Sequence, residues 1–218
     1  MPQVGRVLSA LEPVANSTVV VLASDHGWKL GHYGDHWGKH TLLAADTHVP
    51  LLISAPGFRA KRVHAPVELI DIYPTLLELC DVAGPLASEE QPALEGRSLV
   101  PLMRRRTTRR RVASSIAFSQ WPITKPSRCM GYAVRTQGWT LIQWTADRRQ
   151  RGLMVLEEAA ECERHVDLFR VDSRRNASSR AGLLREELTA ADEHPFVLNR
   201  LRRRLAQAMR LPQIRGPD

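Results

Sequence analysis

Apolar residues fall along the chain in short blocks of differing period. Ser17 to Ser24, rich in β-branched residues and apolar at consecutive positions, predicts a strand buried on both faces of a parallel sheet. Val49 to Ser54 predicts a second strand, stopped by Pro56 and Gly57. Between them, Gly27 to His48 is rich in Gly, His and Trp without steady periodicity. A long active loop is expected there, with one helical turn near Leu42 to Ala45. Asp71 is the expected N-cap of a helix reaching about Cys80. Pro74 falls in its first turn, Gly84 just past its end, and Ile72, Leu76 and Leu79 on its core face.

From Gly84 to Arg111 the chain loosens into Pro, Gly and Ser and ends in an arginine-rich run. This marks a boundary between residues 1–103 and a basic part, 104–218. Beyond it, Val112 to Phe118, Met130 to Arg135 and Trp139 to Trp144 are short β-like pieces separated by Gly and Pro turns, which predicts an antiparallel subdomain. A last helix from Pro195 to Leu211 puts Leu198, Leu201, Leu205 and Met209 on one face. Arg202, Arg203 and Arg204 lie on or beside the opposite one. The fold class expected is α/β, with a small C-terminal subdomain of antiparallel sheet plus helix.

With 218 residues, 43% of them hydrophobic, the chain can bury an ordinary core, which excludes disorder and disulfide-stapled miniproteins. Its longest apolar runs fall far short of the ~20 residues that span a bilayer, so no membrane span is expected. The net charge of +8 is uneven: residues 1–103 hold 7 basic and 11 acidic side chains, leaving +12 for the rest. A basic half suits a sulfated or phosphorylated polyanion. Arginine outnumbers lysine 27 to 4, however, which fits an arginine-rich coding background equally well. No recognition motif accompanies the arginines of 104–111 or 200–204, so specific nucleic-acid binding is not expected. Cys80, Cys129 and Cys162 form no C-x-x-C pair and leave the redox compartment open. The segment from Met1 to Arg6 lacks the apolar core of a secretory signal.

The densest polar cluster is Ser24-Asp25-His26-Gly27-Trp28 continuing to His40. Asp25 and His26 at a strand end can offer one oxygen and one imidazole nitrogen to a single cation, and Gly27 lets the backbone turn sharply. His32, His36 and His40 recur every four residues, as zinc ligands do on a helix, but the interleaved Gly31, Gly34 and Gly38 argue against a helix.

Ser24-Asp25-His26-Gly27-Trp28-x-Leu30-Gly31, Trp37-Gly38-Lys39 and Thr47-His48-Val49-Pro50-Leu51 together resemble the sulfatase family in its iduronate-2-sulfatase-like branch. The likeness continues through Asp71-Ile72-Tyr73-Pro74-Thr75-Leu76, Ala117-Phe118-Ser119-Gln120 and Met130 to Thr136. The resemblance implies an alkaline-phosphatase-like α/β fold, truncated, of which this chain would be the C-terminal part. It implies one Ca²⁺ in an incomplete site, with Asp25 and His26 as ligands. Lys39 would be catalytic, contacting the sulfate and helping the leaving oxygen depart, with His48 also binding substrate. The reaction implied is hydrolysis of sulfated polysaccharide or another sulfate ester, in the periplasmic, secreted or lysosomal settings usual for the family.

One departure bears on activity. The family attacks sulfur with a formylglycine made from the Cys of Cys-x-Pro-Ser-Arg, and no such segment stands in this sequence. Thr124-Lys125-Pro126-Ser127-Arg128 has Thr where that Cys would stand and follows the metal pair. The expectation is therefore a fragment without its nucleophile, inactive alone, whose partner would be the missing N-terminal half. The rival expectation is a non-catalytic remnant or polyanion-binding protein.

Overall fold

The computed structural model describes residues 2–31, 36–82, 94–104, 109–123, 129–146, 162, 165–172 and 185–209. The chain forms two units. One takes in Met1–Asp25, Pro50–Val63 and Glu68–Arg111, the other His26–Val49, His64–Val67 and Val112–Asp218. The chain passes between them five times, so neither is a continuous stretch like those expected on either side of Met103.

In the first unit, helix α1 (Pro2–Leu11) and a 3-10 turn (Glu12–Ser17) precede strand β1 (Val20–Ala23), which pairs with β4 (Leu51–Ser54). The pairing is antiparallel, with Val20 opposite Ser54 and Ala23 opposite Leu51, not parallel as the apolar run suggested. The reason lies in the connection: the chain leaves β1 at Ala23 and re-enters β4 at the residue paired with it, so the two strands must run in opposite directions. Burial on both faces also fails. The paired Leu22 and Leu52 are 38% and 58% exposed.

Helix α3 (Ile72–Leu79) follows a 3-10 turn, Leu69–Asp71. Asp71 does not cap α3. Its backbone is already helical, and its carboxylate accepts from Glu68 N (3.0 Å) and Arg97 N (2.8 Å), closing a capping box on the preceding turn. The buried residue of α3 is Thr75, whereas Ile72, Leu76 and Leu79 are half-buried. The Thr75 hydroxyl donates to Asp71 O at 2.6 Å and accepts from Leu99 N at 2.8 Å, tying α3 to helix α4 (Val100–Met103). Gly84 lies outside the described residues.

The second unit contains the hairpin of β2 (Lys29–Gly31) and β3 (His36–Gly38), the single helical turn α2 (Ala44–Thr47), and a five-stranded antiparallel meander in sequence order. Its strands are β5 (Ala117–Ile123), β6 (Cys129–Arg135), β7 (Trp139–Ala146), β8 (Val166–Asp172) and β9 (Arg185–Thr189). Three of these match the expected pieces, except that Val112 lies in helix α5 (Arg109–Ala113).

Alternation along β6, β7 and β8 gives the sheet two buried faces. Val134, Leu141 and Leu168 pack against Leu201 and Leu205 of helix α6 (Pro195–Met209). The adjacent residue in each strand, Ala133 before Val134 and Ile142 and Phe169 after Leu141 and Leu168, points the other way and packs with Leu42. Because both faces are covered, β6 and β7 carry a single charged residue, Arg135 at the end of β6. As expected, α6 keeps Arg202, Arg203 and Arg204 exposed. A disulfide joins Cys129 to Cys162, a pairing that spacing alone did not indicate.

Candidate functional site

The segment after β1 carries the polar cluster. His26 turns its Nδ1 toward Gly27 O at 3.0 Å and its Nε2 toward Lys39 Nζ at 2.7 Å. A carbonyl can only accept, so Nδ1 holds the ring proton and Nε2 presents its lone pair to the ammonium. Lys39 is half-buried between two residues in the left-handed region, Gly38 (φ 124) and His40 (φ 78). For His40 that conformation costs about 1–2 kcal/mol. The ring offsets part of it by stacking on Trp121 of β5, with centroids 4.9 Å apart.

Below this pair lies a charged network. Lys29 and Asp46, 4% and 5% exposed, form an ion pair at 2.8 Å. The same oxygen, Asp46 Oδ2, accepts from Thr41 N at 2.8 Å and from Thr41 Oγ1 at 2.6 Å, while Asp46 O accepts from Gly27 N at 2.8 Å. Among the described residues Asp46 Oδ1, which is buried, has no hydrogen-bond partner. The turn bearing Asp46 is held to the five-stranded sheet by Leu42 and Leu43, and Arg135 Nη2 of β6 donates to Thr47 Oγ1 at 3.2 Å.

Of the predicted site residues, His26 and Lys39 are brought together. Asp25 is exposed at the end of the first stretch of the first unit, and His48 is exposed just after α2, its N–H donating to Ala44 O. Of the three spaced histidines, His32 and the His36 side chain lie outside the described residues, and His40 is exposed against Trp121. Thr124 to Arg128 also lie outside them. Among the described residues no three His, Cys, Asp or Glu side chains converge as a metal site. Asp25 and His26 each offer a donor type that a cation takes, a carboxylate and a ring nitrogen, but His26 Nε2 already accepts from Lys39. Calcium takes six to eight oxygen-rich ligands, so these two are a fraction of a set.

Sequence reasoning missed Lys29, Thr41 and Asp46. The available signal was the alternation Trp28-Lys29-Leu30, in which the lysine is the inward residue. Reading it required seeing β2 as a strand.

Comparison with known proteins places these motifs. A family model described as Sulfatase matches residues 2–82. A sulfatase of Formosa agariphila is 41% identical over 106 residues, covering 47% of this chain and 20% of its own length. Human iduronate 2-sulfatase is 30% identical over 194 residues, covering 65% and 35%. Zebrafish (Danio rerio) arylsulfatase K is 33% identical over 147 residues, covering 64% and 26%. Among solved structures, a 2-O GAG sulfatase superposes on 95% of this chain and 40% of its own, with a TM-score of 0.65 at 22% identity. A second, solved with its substrate D-glucosamine-2-N,6-O-disulfate, covers 98% and 38% with a TM-score of 0.61 at 21% identity. The chain thus spans between a fifth and two fifths of the length of these relatives. Motifs in family order, an alkaline-phosphatase-like fold shared with solved sulfatases and matching relatives lead to one conclusion: residues 2–82 match the sulfatase family, and the chain is similar to part of several sulfatases.

Proposed function

We propose that the chain forms part of a sulfuric ester hydrolase of iduronate-2-sulfatase type that acts on sulfated polysaccharide. In this reading Lys39 binds the sulfate with His48, and Asp25 and His26 are two ligands of one Ca²⁺, which would take the His26 Nε2 lone pair from the Lys39 ammonium and free Lys39 for the anion. The observation that carries it is the Lys39–His26 pair, an ammonium and a neutral imidazole 2.7 Å apart where the family's motif falls. Lys39 is half-buried, so its attraction for an anion is screened less than that of a fully solvated lysine. As the ester bond breaks, charge grows on the leaving oxygen, and an ammonium already in place stabilises it without reorganisation. A bound divalent cation would add Lewis-acid neutralisation of the sulfate oxygens.

The nucleophile belongs elsewhere in this reading. Cys129 and Cys162 are spent in a disulfide, and Cys80, at the end of α3, lies outside any Cys-x-Pro-Ser-Arg segment. The rest of a sulfatase, the missing N-terminal half, would supply it. The disulfide also supports an oxidising compartment, as for secreted or periplasmic proteins.

Incubated with Ca²⁺ and an aryl sulfate, the chain should release no more product than its Asp25→Ala variant. It should bind Ca²⁺ weakly and inorganic sulfate in a manner abolished by Lys39→Ala. Turnover above the control that depends on Thr124 or a cysteine, or sulfate binding indifferent to Lys39→Ala, overturns the reading. The exposed Arg200, Arg202, Arg203 and Arg204 of α6 favour the second reading, polyanion binding without catalysis. It takes over if those residues alone govern retention on a sulfated polysaccharide.

A further inference from the structure

The excursion that carries Lys39 begins and ends on one residue. Gly27 N–H donates to Asp46 O, Lys29 Nζ pairs with Asp46 Oδ2, and both Thr41 N and Thr41 Oγ1 donate to that same oxygen. His26 stands one residue before the first anchor and Lys39 two before the last. Asp46 is itself fixed by α2, whose neighbours Leu42 and Leu43 pack on the five-stranded sheet.

A buried ion pair is a poor way to gain stability, because well-packed apolar side chains in its place usually do as well or better. Here one buried carboxylate oxygen even has no hydrogen-bond partner among the described residues. What the charged arrangement supplies is a single geometry: three separated points of the 27–41 segment meet at one side chain and its backbone.

We propose that Asp46 is a positioning residue for the anion site, tying Gly27, Lys29 and Thr41 together so that His26 and Lys39 are held at their 2.7 Å separation. The inference rests on the reading of Lys39 and His26 as part of a sulfate site.

Two variants of the 218-residue chain test it. Thr41→Val removes the hydroxyl tie and keeps the ion pair, and Lys29→Met with Asp46→Leu replaces the pair by apolar groups. Amide NMR spectra report the fold, long-range ¹H–¹⁵N spectra at alkaline pH report the His26 tautomer, and titration with inorganic sulfate reports affinity. Both variants should keep the resonances of β5 to β9 yet lose the single Nδ1–H tautomer, and sulfate Kd should weaken about 10- to 100-fold, as when second-layer partners of a site are removed. If tautomer and Kd stay within twofold of wild type in both while stability falls, Asp46 only supports the fold and the proposal is overturned. If the double variant does not fold, Thr41→Val decides alone. A wild-type chain with one tautomer, lost in Thr41→Val, but no sulfate binding supports the positioning role and sinks the sulfate reading instead.

Discussion

Placing one methyl group on Gly27 should disturb the site more than its size suggests. A Cβ there would stand 1.9 Å from Ala45 O, 3.0 Å from the carbonyl carbon and 3.3 Å from Asp46 Cα. Non-bonded heavy atoms attract at roughly 3.5–4 Å, so the two backbones must part by more than an ångström. The 2.8 Å bond from Gly27 N–H to Asp46 O cannot survive that displacement. Overpacking against a rigid neighbour costs about 1–3 kcal/mol, and a stranded buried acceptor about 1–3 more. Alanine's lower unfolded-state entropy returns about 0.4–1 kcal/mol, too little to reverse the sign. Gly27→Ala should therefore lose about 2–5 kcal/mol in urea unfolding followed by tryptophan fluorescence. The His26–Lys39 contact should loosen with it. A change within about 0.5 kcal/mol, the ordinary scatter of surface substitutions, would refute the close approach. Gly38→Ala is the contrast: among the described residues nothing lies within 4 Å, and the φ of +124° opposes the substitution, at about 1–3 kcal/mol.

Three further outcomes follow from the packing. Lys29→Met alone should destabilise by about 3–5 kcal/mol by leaving the buried Asp46 charge without its ammonium, and adding Asp46→Leu should recover only part of that loss in unfolding midpoints, because Thr41 N and Oγ1 then lose their acceptor. Reducing the Cys129–Cys162 disulfide, which spans 33 residues, should cost about 3–4 kcal/mol, read from denaturation with and without reductant. Thr75→Val keeps the side-chain shape but leaves Leu99 N–H buried without its acceptor, so a loss of about 1–3 kcal/mol is expected. A cost below that range would mean another acceptor replaces the hydroxyl.

The sequence by itself determined the elements marked by a helical period or by apolar β-rich runs set between turns. Leu198, Leu201 and Leu205 recur at helical spacing, and the β-rich pieces around Met130 and Trp139 alternate against turns, so the final helix and the antiparallel subdomain were legible before any coordinates. The motif around Asp25, His26 and Lys39 was also legible, because residue types in order identify a family without reference to distance. Tertiary structure decided how those residues meet. Val19 to Ala23 looked like a strand of a parallel sheet, but strand direction depends on where the chain returns, and it returns opposite Ala23. Gly27 looked like a sharp-turn glycine, yet its φ is not left-handed, and what requires its missing side chain is the backbone of Ala45, eighteen positions away. Lys29 and Asp46 carried no local signal, since a charged residue in a polar loop reads as solvated. They become a buried pair only when β2 folds over α2 and excludes water from both. Periodicity records which face of an element is covered. The partner that covers it, and the hydrogen bonds made there, depend on contacts between residues far apart in the chain, which no local pattern encodes.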